Sequence, residues 1–319
     1  MRDCDADLRA YDRAAVALSA AALRDLRIRR NRTRLLIKRR LAAFGFPQPI
    51  GFYGQGSVAM GTIVRGPEEG YDIDDGVYFR RRAFTGPNGG EMSAYAARQL
   101  ILEAAYAERF WDPPEMLKNC VRVYYAQGFH IDIPAYRMTP RALAPPLIEL
   151  ASSSWKPSDP RAVTRWFRLA NRRSPGVNAN RQLVRIVRYM KGWVRARPAW
   201  HGRILGGFGI TALAVACYRR AAGRDDRALY ETLRAIQAGL HAGALIAHPV
   251  LPGEWICPPP NDAKVRYLRD QLDGALARLA PLSQALSRDA ALAHWDQFFR
   301  TDFFEGRWQL QRRPRFELL

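Results

Sequence analysis

The chain has 319 residues, with 50 Lys and Arg against 30 Asp and Glu, a formal charge of +20. At 48% hydrophobic and 11% aromatic residues it has ample material for a core, which excludes a disordered polycation. Such an excess of positive charge suits polyanions (nucleotides, nucleic acid or an anionic membrane surface), although Arg-rich coding from a GC-rich genome accounts for the total equally well.

The chain opens on MRDCDADLRAYDR, charged at once and without an apolar stretch, so no secretory signal is expected. Residues 5–45 predict one long helix. Leu23, Leu26, Thr33, Ile37, Leu41 and Phe44 recur at helical steps, and Gly45, Pro47 and Pro49 end it. Opposite that stripe lie Arg24, Arg27, Arg29, Arg30, Arg32, Arg34, Lys38, Arg39 and Arg40, with no acidic residue between Asp25 and Glu68. This face is either solvated or laid against nucleic acid, which would relieve its self-repulsion.

Shorter elements follow. Ile50–Gly54 predicts a strand, Gly56-Ser57 opens a helical turn, Tyr71–Phe79 is a strand and Glu91–Trp111 a helix. Val121–Tyr125 and Phe129–Tyr136 flank Ala126-Gln127-Gly128 as a hairpin, and Leu147–Ala151 adds a strand. After Trp155 helices dominate, over 160–172, 180–196, 208–223, 225–242, 262–280 and 283–300. The expected fold is α+β, with a core and spine helix over 1–160 and an all-helical lobe over 161–319. The longest apolar run, Ile204–Tyr218, is about 15 residues, short of the roughly 20 a membrane span needs. Cys4, Cys120, Cys217 and Cys257 lie far apart, which argues against structural zinc and for a reducing, cytoplasmic setting.

The chemistry-bearing stretch is Gly54-Gln55-Gly56-Ser57-Val58-Ala59-Met60-Gly61-Thr62, followed by Tyr71-Asp72-Ile73-Asp74-Asp75-Gly76-Val77-Tyr78-Phe79. Strand alternation puts Asp72 and Asp74 on one face, where two carboxylates repel unless a cation joins them; hard oxygen ligands suit Mg2+. Asp75 falls on the buried face with Ile73 and Val77 and reads as a structural hydrogen-bonding group. Gly56 and Ser57 offer backbone N–H groups and a hydroxyl to phosphate. In Phe129-His130-Ile131-Asp132-Ile133, the apolar residues face the core, leaving His130 and Asp132 on the other side. Asp132 then needs either a cation or an arginine.

Joined, these pieces resemble the DNA polymerase β-like nucleotidyltransferases. In wording they are closest to the bacterial cGAS/DncV-like enzymes (CD-NTases) of CBASS anti-phage systems. That resemblance implies Mg2+ or Mn2+ held by Asp72, Asp74 and Asp132, with Asp132 serving the attacking 3′-hydroxyl. It implies a triphosphate held by Gln55, Gly56, Ser57 and Lys191, the last within Arg185-Ile-Val-Arg-Tyr-Met-Lys191-Gly-Trp193. By spacing alone, the basic side of that helix (Arg181, Arg185, Arg188, Lys191, Arg195) reads as solvated. At Gly206-Gly207-Phe208-Gly209-Ile210-Thr211, a serine common in relatives is missing. The implied activity is template-independent synthesis of a cyclic oligonucleotide from NTPs, with ATP preferred and cyclic tri-AMP as the leading product. A HORMA-type regulator or double-stranded nucleic acid on the spine would be the partner. A linear transferase acting on RNA or protein, and a basic nucleic-acid-binding module, are the alternatives.

Overall fold

The computed structural model describes residues 1–66, 71–86, 88–106, 112–125, 128–243, 246–257 and 262–312. It is α+β and divides into two compact units. One comprises Leu18–Met60 and Arg65–Trp166; the other comprises Met1–Ala17, Gly61–Val64 and Phe167–Leu319. Among the described residues no helix is long and apolar enough to cross a membrane.

The first unit is built on a sheet. Strand β1 (Gly51–Gln55) lies antiparallel to β2 (Asp72–Arg80). Strand β3 (Glu115–Met116) pairs with β4 (Val121–Tyr124), which pairs with β5 (His130–Ile133). Beyond Pro134 come β6 (Ala135–Thr139), β7 (Leu147–Ala151) and β8 (Trp155–Pro157), with β7 antiparallel to β6 and β8 antiparallel to β7. Both β5 and β6 run parallel to β2. From Asp72 opposite His130 to Arg80 opposite Met138 the offset never changes, so β5 and β6 form one line along β2. Pro134 interrupts that line because it has no N–H to donate, yet its carbonyl accepts from the Val77 N–H at 3.0 Å. The hairpin tip Ala126-Gln127 lies outside the described residues, as does the end of the helix expected over Glu91–Trp111.

Odd-numbered positions of β2 face helix. Ile73, Val77 and Phe79, with Val121, Val123, Ile131 and Ile133, are buried. Helix α2 (Ala20–Ala43) packs against β2, and the next long helix of this unit (Ala94–Ala105) packs against α2, β4 and β7. Asp75 sits on this face at 2% exposure, where Arg34 of α2 grips it through Nε (2.7 Å) and Nη2 (2.5 Å). Burial pushes the Asp75 carboxyl above the usual range, and Arg34 opposes that shift.

The long N-terminal helix is broken. Helix α1 (Asp5–Tyr11) passes into a π-helical turn over Asp12–Val16; Ala17 is extended, and the Ser19 side chain accepts from the Ala22 N–H to start α2. The partition therefore differs from a single cut near 160, because the first seventeen residues pack in the helical unit. Tyr11 lies 4.6–5.3 Å from the rings of Phe299, Phe303 and Phe304, and buried Asp12 is forked by Arg188 at 2.6 and 2.8 Å. Phe44, expected in the buried stripe, is 46% exposed because the helix ends there and Gly45 (φ +67°) turns the chain away.

In the helical unit the expected segments form as Pro160–Arg172 (which starts in the sheet unit), Gln182–Arg195, Gly207–Cys217, Asp225–His241, Ala263–Leu279 and Arg288–Phe299. A further helix, Phe303–Arg312, follows. The basic side of Gln182–Arg195 is only partly solvated: Arg195 is exposed, but Arg185 and Arg188 are buried, paired with Asp225 and Asp12 respectively. Those acids lie far away in sequence, so helical spacing gives no hint of them.

Replacing Arg34 with Met leaves Asp75 buried and unpaired. The expected cost is about 3 kcal/mol, read from urea or thermal unfolding, and R34M/D75N should recover most of it. A loss below about 1 kcal/mol would mean that the pair does not brace α2 to the sheet.

Candidate active site

Residues paired across a sheet project from the same face, so the registers line up the even-numbered positions of β2 with their partners. One row crosses five strands: Gln55, Asp74, Asp132, Arg122 and Glu115, each opposite the next. Beside it runs a second row, Asp72, His130 and Tyr124. Between the two rows, on the reverse face, lie Ile73, Ile131 and Val123, all fully buried. One face is core and the other is chemistry.

Asp74 and Asp132 are thus direct neighbours on parallel strands about 4.8 Å apart, a placement that like charges disfavour. The sheet compensates with a built-in cation, Arg122. Arg122 donates from Nε to Oδ1 of Asp132 at 2.7 Å and from Nη2 to Oδ2 at 2.8 Å. The hydrogen bond that it donates to Asp132 pushes the Arg122 guanidinium above its ordinary range. His130 Nε2 lies 2.7 Å from Oδ1 of Asp72 and 4.0 Å from Oδ1 of Asp132. Cys120, buried beside Asp132, has its thiol pushed up to about 12, first by burial and then by that carboxylate's charge.

The turn Gly56–Met60 (α3) follows β1 directly. Gly56 has φ +64°, and a Cβ there would stand 2.0 Å from Oδ2 of Asp74, so only glycine lets the carboxylate settle over the turn. Gly76 is equally constrained: a Cβ would meet Gln55 Oε1 at 2.7 Å and Tyr136 at 2.8 Å. Gln55 donates from Nε2 to the Tyr136 hydroxyl at 3.0 Å, while its buried Oε1 has no hydrogen-bond partner among the described residues. Tyr136 in turn stacks on Tyr78 at 4.6 Å. A cavity of about 390 Å³ opens here, lined by Gln55, Asp74, Lys118, Asn119, Asp132 and Tyr136.

The sheet unit therefore gathers Gln55, Gly56, Ser57, Asp72, Asp74 and Asp132. Lys191 belongs to the helical unit, where its Nζ donates to the hydroxyl and carbonyl oxygens of Thr62 at 3.1 and 3.3 Å. Arg188 and Arg195, on the same side of that helix, donate to the carbonyls of Gly61 and Val64.

Residues 50–136 match the family model described as cyclic GMP-AMP synthase DncV-like, nucleotidyltransferase domain. That stretch of the chain is similar to the DncV-like nucleotidyltransferase domain. The fold extends the likeness to nearly the whole chain. The Vibrio cholerae dinucleotide cyclase DncV, as an aspartate double mutant, superposes with a TM-score of 0.76 at 17% identity, over 93% of this chain and 95% of that one. Escherichia coli DncV bound to 3′-deoxy GTP gives 0.69 at 18%, over 90% and 92%. Vibrio cholerae DncV holding the linear intermediate pppA(3′,5′)pG gives 0.70 at 18%, over 89% and 91%.

On this sheet the three aspartates fit hard divalent cations by donor type and by their shared face. As they stand, no three His, Cys, Asp or Glu side chains among the described residues converge on one point. Arg122 and His130 hold two of the three carboxylates. Arg122 was not anticipated from sequence, although a hairpin centred on Gln127 places residue 122 opposite residue 132.

Gly56→Ala should lower NTP turnover at least a hundredfold while costing the fold only about 1 kcal/mol, measured by pyrophosphate release and thermal melting. Turnover above half of wild type would show that Asp74 does not need its seat on this turn.

Proposed function

We propose that this protein joins nucleoside triphosphates without a template into a cyclic oligonucleotide. Supporting this reading above all is the register that sets Asp74 beside Asp132 with Asp72 two positions along, on one face of the nucleotidyltransferase sheet. The Vibrio cholerae relative captured with a linear dinucleotide intermediate supports the same reaction class.

Asp72, Asp74 and Asp132 would hold Mg2+, with Mn2+ as a substitute. The bound cations would supply charge neutralisation of the triphosphate and acidification of the attacking 3′-hydroxyl. Gly56 and Ser57 bind phosphate through backbone N–H groups and the serine hydroxyl, and Lys191 adds a cation to the triphosphate. Gln55 presents Oε1, an acceptor that substrate completes, since a buried polar atom without a partner is costly. Tyr136 anchors Gln55 and adds an aromatic surface to the cavity. No side-chain nucleophile is required. The preferred substrate is ATP and the leading product cyclic tri-AMP, made in the cytoplasm as a signal in anti-phage defence.

Regulation has two candidate partners, a HORMA-type protein and double-stranded nucleic acid. Supporting the second, Arg24, Arg27, Arg32, Lys38 and Arg39 of α2 are exposed, whereas Arg29, Arg30, Arg34 and Arg40 are partly buried. Salt-dependent binding of duplex to that face would follow from phosphate neutralisation.

The full chain incubated with labelled NTPs and Mg2+ should yield a phosphatase-resistant product, and ATP alone should suffice. A phosphatase-sensitive product would rule out ring closure and favour a linear transferase. Replacing both Asp72 and Asp74 with Ala should abolish product with melting unchanged or raised. Activity above a few per cent in that variant would place the catalytic centre elsewhere.

A further inference from the structure

Arg122 has no part in the reaction proposed above, yet it takes both oxygens of the third carboxylate. Its fork on Asp132 is bidentate at 2.7 and 2.8 Å, and the pair is largely shielded, with side-chain exposures of 25% and 13%. On its outer side, in register, stands Glu115, which accepts from the Tyr124 hydroxyl at 2.6 Å. The guanidinium thus lies between two carboxylates in one row, one inside the site and one at its rim.

We propose that Arg122 is a positioning residue that acts through Asp132 as the site's resident counter-cation: it holds the third carboxylate in the free protein and passes to Glu115 when a divalent cation arrives with its nucleotide. The reasoning is competitive. Asp74 and Asp132 together carry two negative charges side by side, and a fixed guanidinium already supplies one positive charge to them. A bare cation must displace that charge before it gains Asp132. A cation carried by a triphosphate brings further ligands and electrostatic gain to offset the displacement. Metal affinity is therefore low without nucleotide and high with it. The inference rests on the carboxylates being cation ligands.

The test is Mn2+ binding to the full chain, followed by the free-ion electron paramagnetic resonance signal, with and without a nonhydrolysable ATP analogue. Without nucleotide, Arg122→Met should bind Mn2+ at least tenfold more tightly than wild type. Arg122→Lys, which keeps the charge but not the fork, should fall between. The gain should vanish in R122M/D132N, and with the analogue the gap between R122M and wild type should close to within threefold. Equal or weaker binding by folded R122M overturns the proposal, as does a gain that persists with D132N. Should R122M fail to fold, millimolar Mn2+ must restore it; if it does not, Arg122 is a brace and nothing more. Wild type that binds no Mn2+ even with the analogue overturns the metal-site reading itself.

Discussion

Two aspartates held side by side on parallel strands are a standing electrostatic debt, and the sheet unit is organised around it. The strands fix Asp74 and Asp132 at a spacing set by backbone hydrogen bonds, so the carboxylates cannot part without breaking the ladder. Positive charge must come to them. Arg122 supplies it from within the sheet, and the His130 ring nitrogen lies 2.7 Å from Asp72. The arrangement resembles a lock supplied with its own blank key: neutral enough to fold, and still shaped for a harder cation.

What keeps this face polar is the discipline of the reverse face. The unbroken register of β2 against β5 and β6, carried past Pro134, keeps Ile73, Val77, Ile131 and Ile133 on one face without a slip. Asp75 is the exception that the scaffold must absorb, and α2 absorbs it with Arg34. Glycines complete the design on the polar side: Gly56 and Gly76 give up side chains where Asp74, Gln55 and Tyr136 need the space.

Most of this was legible in the sequence. Alternation alone separated Asp72 and Asp74 from Asp75, and His130 and Asp132 from Phe129, Ile131 and Ile133. Helix limits such as Pro160–Arg172 followed from caps and periodicity. Less legible were relations between distant residues. The burial of Arg185 and Arg188 depends on Asp225 and Asp12, which no local pattern announces. The N-terminal helix misled because the apolar stripe of α2 and the acidic segment before it share a period; Ser19 was the local sign of the break. Arg122 was within reach, since hairpin register is arithmetic, but it calls for asking what neutralises an aspartate as well as what the aspartate binds.

The contacts of the first seventeen residues carry a consequence for how the chain is made. Cys4, Asp5, Asp7, Tyr11 and Asp12 meet Asp226, Asp225, Arg288, Phe299, Phe304 and Arg188, so hydrogen bonds of the helical unit join residues from 176 to 281 positions apart. The sheet unit, Leu18–Met60 with Arg65–Trp166, lies between those distant pieces in chain order. Translation therefore delivers the carboxylate row early and withholds the partners of Asp12 and Asp7 until later, leaving those two acids in water while the ribosome moves on. A nascent chain of this kind carries its row of carboxylates well before the helix that bears Arg188 can pair with Asp12, so the two units are finished in sequence and not together.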